Sequence, residues 1–494
     1  MQQHLNRWQA LAWIAIVMAI LAAFAAAAAS PARSAAFPIP HPMVSDAVQM
    51  THGETPPTQA DCAAVGRTCF PPQAIQSAYN LGPLYDDGKD GSGMTIAIVD
   101  AYGSDTMAHD LHVFDQTWGI APLCGEEGVT CTAGMPWFKE FHYGGSPATK
   151  APPSSAKSPG QENKSAWALE VALDVETSHA IAPGANILLV TTPTAETLGV
   201  QGFPQMMDAE QYVIDHHMAN VISQSFASAE DAFGSSQSLE NLRHAFKSAA
   251  ANGVTVLGSS GDGGSANARK TPVGKGGSTI EEPTVEWPAS DPLVTGVGGT
   301  YLCTDPNATT DQPRTLYAGP VAKCKANPTQ EEVGWTFSGG GFSHVFSKPA
   351  YQNTLPAGST SIGSARGVPD IGLQASAGTG ALVFLTLPPD GNDSNVGDPG
   401  WWDIGGTSLS CPQWAGLVAI ADQIHGGGLG LINPALYQLA SNPTTYADDF
   451  FDVTTGNNTA DPSVAGYPAT TGWDPITGLG TPNAANLLPD LAGL

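Results

Sequence analysis

Gly405-Gly406-Thr407-Ser408-Leu409-Ser410-Cys411-Pro412-Gln413-Trp414-Ala415-Gly416, running on into Leu417-Val418-Ala419-Ile420-Ala421, joins a turn, a hydroxyl and an apolar helix. The paired glycines permit a sharp turn with unusual backbone angles. A helix beginning close to Ser408 sets that hydroxyl at the positive end of the helix. Free N–H groups there can stabilise a developing oxyanion. Pro412 has no N–H, so the Ser408 carbonyl loses its helical partner. An ordinary helix cap needs only the serine; Gly-Thr-Ser with proline four residues later reads as the turn of a nucleophile. Upstream, short apolar runs at 95–100, 185–192, 221–225, 254–257 and 293–297 alternate with helical patterns at 165–179, around 209–216 and at 239–251. This alternation predicts an α/β fold: a doubly wound, mainly parallel sheet with helices on both faces and active residues at strand C-terminal ends.

The helix over 165–179 carries Glu170 and Asp174, four residues apart and therefore on one face. Like charges at that spacing destabilise an exposed helix by about 0.2–0.5 kcal/mol, and no lysine or arginine at helical spacing relieves them. A solvated helix face is the plain reading of such a pair. Where one carboxyl holds a proton for the other, the pair becomes acid–base machinery. A third acid, Asp262, follows the apolar run 254–257 in Gly258-Ser259-Ser260-Gly261-Asp262-Gly263-Gly264. Asp-Gly is an ordinary turn signal, yet a protonated aspartate placed there can donate a hydrogen bond to an oxyanion.

A serine nucleophile needs a base, usually histidine. The pattern around Ser408 resembles the subtilisin-like superfamily, in which the histidine sits in a His-Gly-Thr-His stretch. No such stretch occurs here, and His109 and His112 in Met-Ala-His-Asp-Leu-His read as surface helix residues. One branch of the superfamily replaces the histidine with a carboxylate, and the chain resembles that branch, the sedolisins or serine-carboxyl peptidases. The resemblance implies a subtilisin-like fold, Ser408 as nucleophile, Glu170 as general base, Asp174 orienting it and sharing its proton, and Asp262 in the oxyanion hole. It extends over most of the chain beyond about residue 60, through Val285-Glu286-Trp287-Pro288, Ser338-Gly339-Gly340-Gly341, Pro349-Ala350-Tyr351-Gln352 and Arg366-Gly367-Val368-Pro369-Asp370. Ser225 in Val221-Ile222-Ser223-Gln224-Ser225 is expected on a strand edge along the substrate backbone, with Gly261 as a second substrate-binding residue. Asp100, where a histidine-dependent subtilisin would keep its triad aspartate, is expected to be a structural or cleft residue.

Two further aspartates, Asp452 and Asp474, flank a loop of glycine and small residues, an oxygen donor set suited to Ca2+. The resemblance implies one structural calcium site. Asp452 and Asp474 would ligate through carboxylates, and Val453, Thr470 and Gly472 through backbone carbonyls. Thr470 stands where the family often has glycine.

The chain has 494 residues, 45 Asp and Glu against 18 Lys and Arg, and a formal net charge of −27. That balance, with no basic patch, phosphate loop or zinc-ligand spacing, excludes nucleic acid as a partner. It suits work in acid, where carboxylates lose their charge. An apolar run over 10–29 followed by small residues reads as a signal peptide within 1–36, with an uncleaved membrane anchor as the alternative. Residues 37–70 form a short Pro-rich segment, too few for a folded prodomain, and 71–494 form the catalytic domain. Export allows disulfides. Proximity pairs Cys62 with Cys69, Cys124 with Cys131 and Cys303 with Cys324, leaving Cys411; connectivity is not deducible from sequence. The expectation is a secreted, monomeric endopeptidase acting on proteins or peptides at acidic pH, membrane-free once the leader is removed. A histidine-dependent subtilisin using Asp100 and a catalytically silent binding module are the alternatives.

Overall fold

Thr-Ile-Ala-Ile-Val-Asp-Ala at 95–101 has no polar face because both of its faces are covered. In this strand Ile96 and Ile98 turn to one apolar layer, and Ala97 and Val99 to another. The structure, a computed structural model, describes residues 46–145, 161–193, 202–233, 235–267, 279–388 and 397–494, with the backbone alone for 161–165. The expected leader, and the loop beyond 145, lie outside the described residues.

The central sheet has eight strands. We label them β2 (Thr95–Ala101), β3 (Phe138–His142), β4 (Asn186–Thr192), β5 (Val221–Gln224), β6 (Thr255–Ser259), β7 (Thr295–Leu302), β8 (Glu332–Gly334) and β9 (Ile371–Gln374). The spatial order is β8-β7-β6-β5-β2-β4-β3, with β9 also paired to β7. Every pairing is parallel except that of β8 with β7. The order reverses on either side of β2, which makes the sheet doubly wound and opens a crevice at the strand C-terminal ends. On one face lie α2 (Gln161–Ile181), α5 (Thr407–His425) and α6 (Ala484–Ala492); on the other lie α3 (Phe203–Asp215) and α4 (His244–Asn252).

A second sheet of three antiparallel strands joins β1 (Asp46–His52), β11 (Asp398–Gly405) and β10 (Ala381–Leu387), in the order β1-β11-β10. It packs on α1 (Met107–Trp118) and α2 through Phe114, Leu382, Phe384 and Trp401. Asp46 pairs with Gly405, so the segment 46–52 lies along the strand that leads into the nucleophile turn. Arg67 ties the same corner, holding Asp46 at 2.6 Å and buried Asp403 at 3.1 Å.

Two expectations meet their physical limits here. The run 221–224 is not an edge available to a peptide: β2 and β6 occupy its two sides, so backbone pairing with a substrate is open only to residues after Gln224. The strand expected at 293–297 starts later and runs on through Gly298 and Gly299 to Leu302. These glycines are strand residues because a Cβ would stand 2.3 Å from the Ile476 carbonyl oxygen at 298 and 2.2 Å from the Ala375 Cβ at 299. The three disulfides form as proximity suggests, and Cys411 is free and buried. Among the described residues no helix is long and apolar enough to cross a membrane.

Candidate active site

Helices α2 and α5 touch at Gly416, where a Cβ would lie 2.7 Å from the Ile181 Cβ and 3.0 Å from the Ser178 carbonyl oxygen. Ser408 precedes Gly416 by eight residues, and Glu170 precedes Ser178 by eight. At 1.5 Å per residue both lie about 12 Å up their helices from the crossing, which brings the two side chains to the same end of the layer. Ser408 is the second residue of α5, behind Thr407 and the N-cap Gly406, whose φ of 141° is open to glycine. Its carbonyl has no helical acceptor role to play, because Pro412 stands four residues on. Gly405 has no room for a side chain: a Cβ would be 2.2 Å from the Ala377 nitrogen.

Asp262 is locked to this helix start. The Thr407 N–H donates to Asp262 Oδ1 at 2.7 Å and the Thr407 hydroxyl donates to the same oxygen at 2.9 Å. The Gly261 N–H in turn donates to the Thr407 hydroxyl at 3.1 Å, and Gly261 accepts from the Gly339 N–H at 2.7 Å. Both backbone groups of Gly261 thus have partners within the protein. With φ at 109°, Gly261 also has no space for a Cβ, which would stand 2.2 Å from Glu286 Oε2.

Glu170 and Asp174 are fully buried. Burial pushes Glu170 well above the usual carboxyl range, Asp174 and Asp100 push it further, the Ser408 hydroxyl pulls it back, and Asp262 adds to the rise. Asp174 is raised by burial and by Asp100 and is moderated by the Ser225 hydroxyl and by Glu170. Strictly aligned hydrogen bonds are absent at Glu170, Asp174 and the Ser408 hydroxyl among the described residues. Catalytic hydrogen bonds often tighten only around a substrate. Ser225, expected against the substrate, therefore sits by Asp174, one shell behind the nucleophile.

The structure brings two acids to the site that the sequence left in lesser roles. Asp100, at the end of β2, is fully buried and pushed up to about 8 by its desolvation. It acts on both Glu170 and Asp174. Glu286 lies beside Asp262 and is pushed up to about 8 by burial and by that neighbour. Its signal in the sequence was a carboxylate held between Val285 and Trp287 in an apolar stretch. Among the described residues no histidine figures in the groups acting on Glu170 or Asp174. His109 and His112 lie on α1 and face Glu127 at 2.7 Å and Glu126 at 3.1 Å.

At the C-terminal loop, Asp474 is buried and Asp452 partly so. Asp474 accepts from the N–H groups of Thr470 at 3.1 Å, Ile476 at 2.8 Å and Thr477 at 3.0 Å; Asp452 accepts from Gly472 at 3.1 Å. Burial nonetheless pushes Asp474 up to about 7, with Asp452 adding to the rise. Among the described residues no hydrogen bond reaches the carbonyls of Val453, Thr470 or Gly472. Two neighbouring carboxylates and these carbonyls supply oxygen donors only, the chemistry that suits Ca2+. Thr470 is not among the residues with positive φ, so the backbone there accepts a side chain.

No protein-family model matches the chain. Kumamolisin of Bacillus sp. (strain MN-32) is 30% identical over 436 residues, 88% of this chain and 65% of that protein. Human tripeptidyl-peptidase 1 is 31% identical over 371 residues, 71% of this chain and 56% of that protein. Sedolisin of Pseudomonas sp. (strain 101) is 32% identical over 284 residues, covering 57% and 42%. The chain thus spans less than two thirds of the length of these curated relatives. Among solved structures, Pseudomonas sedolisin, a serine-carboxyl proteinase complexed with two molecules of pseudo-iodotyrostatin, aligns with a TM-score of 0.61 at 25% identity, over 85% of this chain and 97% of that one.

Proposed function

Since the chain belongs to the sedolisin family, we propose that it is a secreted, acid-acting serine-carboxyl endopeptidase that cleaves proteins or peptides through an acyl-enzyme. One observation carries the reading. A serine at a helix start, an aspartate hydrogen-bonded to the residue before it, and a buried carboxyl pair acting on that serine converge at the strand C-terminal ends.

A dry cluster of Glu170, Asp174 and Asp100 loses its protons one at a time, because a first negative charge opposes the second. That single charge is the base. Ser408 Oγ attacks the scissile carbonyl carbon as Glu170 accepts the hydroxyl proton, with Asp174 sharing the proton already held by the pair. The carbonyl oxygen, now negative, receives a hydrogen bond from protonated Asp262 and from the Ser408 N–H. Oδ1 of Asp262 already accepts two bonds from Thr407, so the proton it donates belongs on Oδ2. Glu170 then protonates the leaving amine, and water attacks the acyl-enzyme by the same steps in reverse. Asp262 must hold its proton, and ordinary carboxyls titrate near about 4, so the rate falls toward neutral pH. Ca2+, held by Asp452, Asp474 and the carbonyls of Val453, Thr470 and Gly472, would neutralise that carboxylate pair and brace the loop.

The test is cleavage of an unfolded protein substrate, followed from pH 3 to pH 8, by the wild type and by Ser408→Ala, Glu170→Gln and Asp262→Asn. Full activity in Ser408→Ala, or an optimum above neutrality, defeats the reading. Loss of activity on replacing a single histidine would favour the histidine-dependent alternative. Release of tripeptides alone from an unblocked peptide would replace the endopeptidase assignment with an exopeptidase one.

A further inference from the structure

Away from the active site, the far end of α2 carries a second buried polar cluster. His179 lies on the last turns of α2, Asp115 on α1, and Glu126 in the loop closed by the Cys124–Cys131 disulfide. All three side chains are inside the protein: His179 is 0% exposed, Asp115 1% and Glu126 0%. One ligand atom from each lies within 4.8 Å of those of the other two, and among the described residues no other group of three His, Cys, Asp or Glu does this.

The pairing within the cluster is incomplete. His179 Nε2 meets Asp115 Oδ2 at 3.0 Å. Asp115 Oδ1 has no hydrogen-bond partner among the described residues, although it is buried. Its neighbour is the carboxyl of Glu126, and the two can bond to each other only while one of them holds a proton. A buried carboxylate oxygen without an aligned partner keeps its desolvation cost uncompensated. With both carboxyls ionised and the imidazole neutral, as metal ligation requires, the set carries a charge of −2, which a dication cancels.

The surroundings are those of a ligand set. The Ala121 carbonyl lies beside the His179 ring while Nε2 faces Asp115; a metal-binding imidazole commonly turns its other N–H to a carbonyl in this way. Glu126 is oriented from outside by the Leu123 N–H on Oε1 and by His112 Nδ1 at 3.1 Å on Oε2. The disulfide holds its loop.

We propose that Asp115, Glu126 and His179 form a structural site for a divalent transition cation of the Zn2+ class, clasping α1, α2 and the Cys124–Cys131 loop. The imidazole nitrogen sets it apart from the all-oxygen Ca2+ set at Asp452 and Asp474. With each donor drawn to about 2.0–2.2 Å, three protein ligands leave a fourth position for water. The proposal does not depend on the peptidase assignment.

The full chain, stripped with a chelator and returned to neutral pH, would be titrated with Zn2+ and separately with Co2+. The readouts are metal content by elemental mass spectrometry, the visible bands of tetrahedral Co2+, and thermal melting. We expect one Zn2+ per chain, the Co2+ bands, and a melting temperature raised by Zn2+ in the wild type and in Asp474→Asn. In Glu126→Gln and Asp115→Asn the affinity should fall by more than the about 10–100-fold that outer-shell changes cost. Glu126→Gln keeps the shape of the loop, and its metal-free melting transition verifies folding. Absence of stoichiometric metal and Co2+ bands in the wild type overturns the proposal. So does binding that survives in Glu126→Gln and Asp115→Asn, or binding that is lost only in Asp474→Asn.

Discussion

Two carboxylate pairs in this molecule are buried in opposite ways. Glu170 and Asp174 receive no aligned hydrogen bond among the described residues. Asp474 is ringed by three backbone N–H groups and Asp452 takes a fourth. N–H donors favour the charged form of a carboxylate, whereas dry burial favours the neutral one. The first pair therefore favours keeping its protons, as the proposed acid–base role needs. The second has N–H donors that favour its charged form, although burial and the closeness of the two acids still push Asp474 up to about 7, a cost that the proposed cation would remove. Both are pairs of acids in an apolar setting, and the backbone around them decides which chemistry they serve.

The sharpest way to break this contrast is to remove the proton-handling side. Ser408→Ala and Glu170→Gln should each lower kcat/KM by at least about 10^4-fold, with melting temperature little changed, as read by peptide hydrolysis at acidic pH. A Glu170→Gln variant retaining a tenth of the wild-type rate would remove Glu170 from the mechanism. Next in size, Asp262→Ala should cost about 10²–10³ in kcat, the loss of one oxyanion donor. Asp262→Asn should be milder, because an amide donates without a titrating proton, and its alkaline limb should move to higher pH. An unmoved limb would assign that limb to another group.

On the charge-holding side, a Ca2+-selective chelator should lower the stability of the wild type and leave Asp474→Asn nearly unaffected. At a Ca2+ concentration 100 times its Kd the difference is about 2.7 kcal/mol, visible as a shift in thermal melting. Equal shifts in both proteins would place the chelated ion elsewhere. The smallest effect is spread over the whole fold. Asp100, Glu286, Asp403 and Asp422 are each pushed up to about 8, chiefly by burial. Their folded values lie above the ordinary ~4, so the folded chain keeps protons that the unfolded chain has released. The resulting stability is complete below about pH 4 and declines as pH rises toward 8. Melting temperature should therefore be higher at pH 4 than at pH 8; a flat or rising profile would show these acids to be hydrated.

Much of this was legible in the residues. The alternation of apolar runs gives the strands and helices of the parallel sheet, and spacing alone puts Glu170 and Asp174 on one face of α2. The loop after β6 and the Gly-Gly-Thr-Ser turn mark Asp262 and Ser408. What stayed hidden depends on contacts remote in sequence. Whether Val221–Gln224 is an edge is decided by β2 and β6, not by its own composition. Asp100 reads as a strand end, and Glu286 as one residue of a matching stretch, until tertiary packing sets them beside Glu170 and Asp262. Gly298 and Gly299 look like turn formers but serve where other chain segments pass too close for a side chain. The triad of His179, Asp115 and Glu126 comes from three separate elements and has no spacing to betray it.

The pairing of Asp46 with Gly405 bears on how the protein could be trimmed. A protease cut that removed residues through His52 would bare one side of β11 and release Arg67 from Asp46, unbracing the track that delivers Ser408. Residues 46–52 thus belong to the support on which the turn before Ser408 rests.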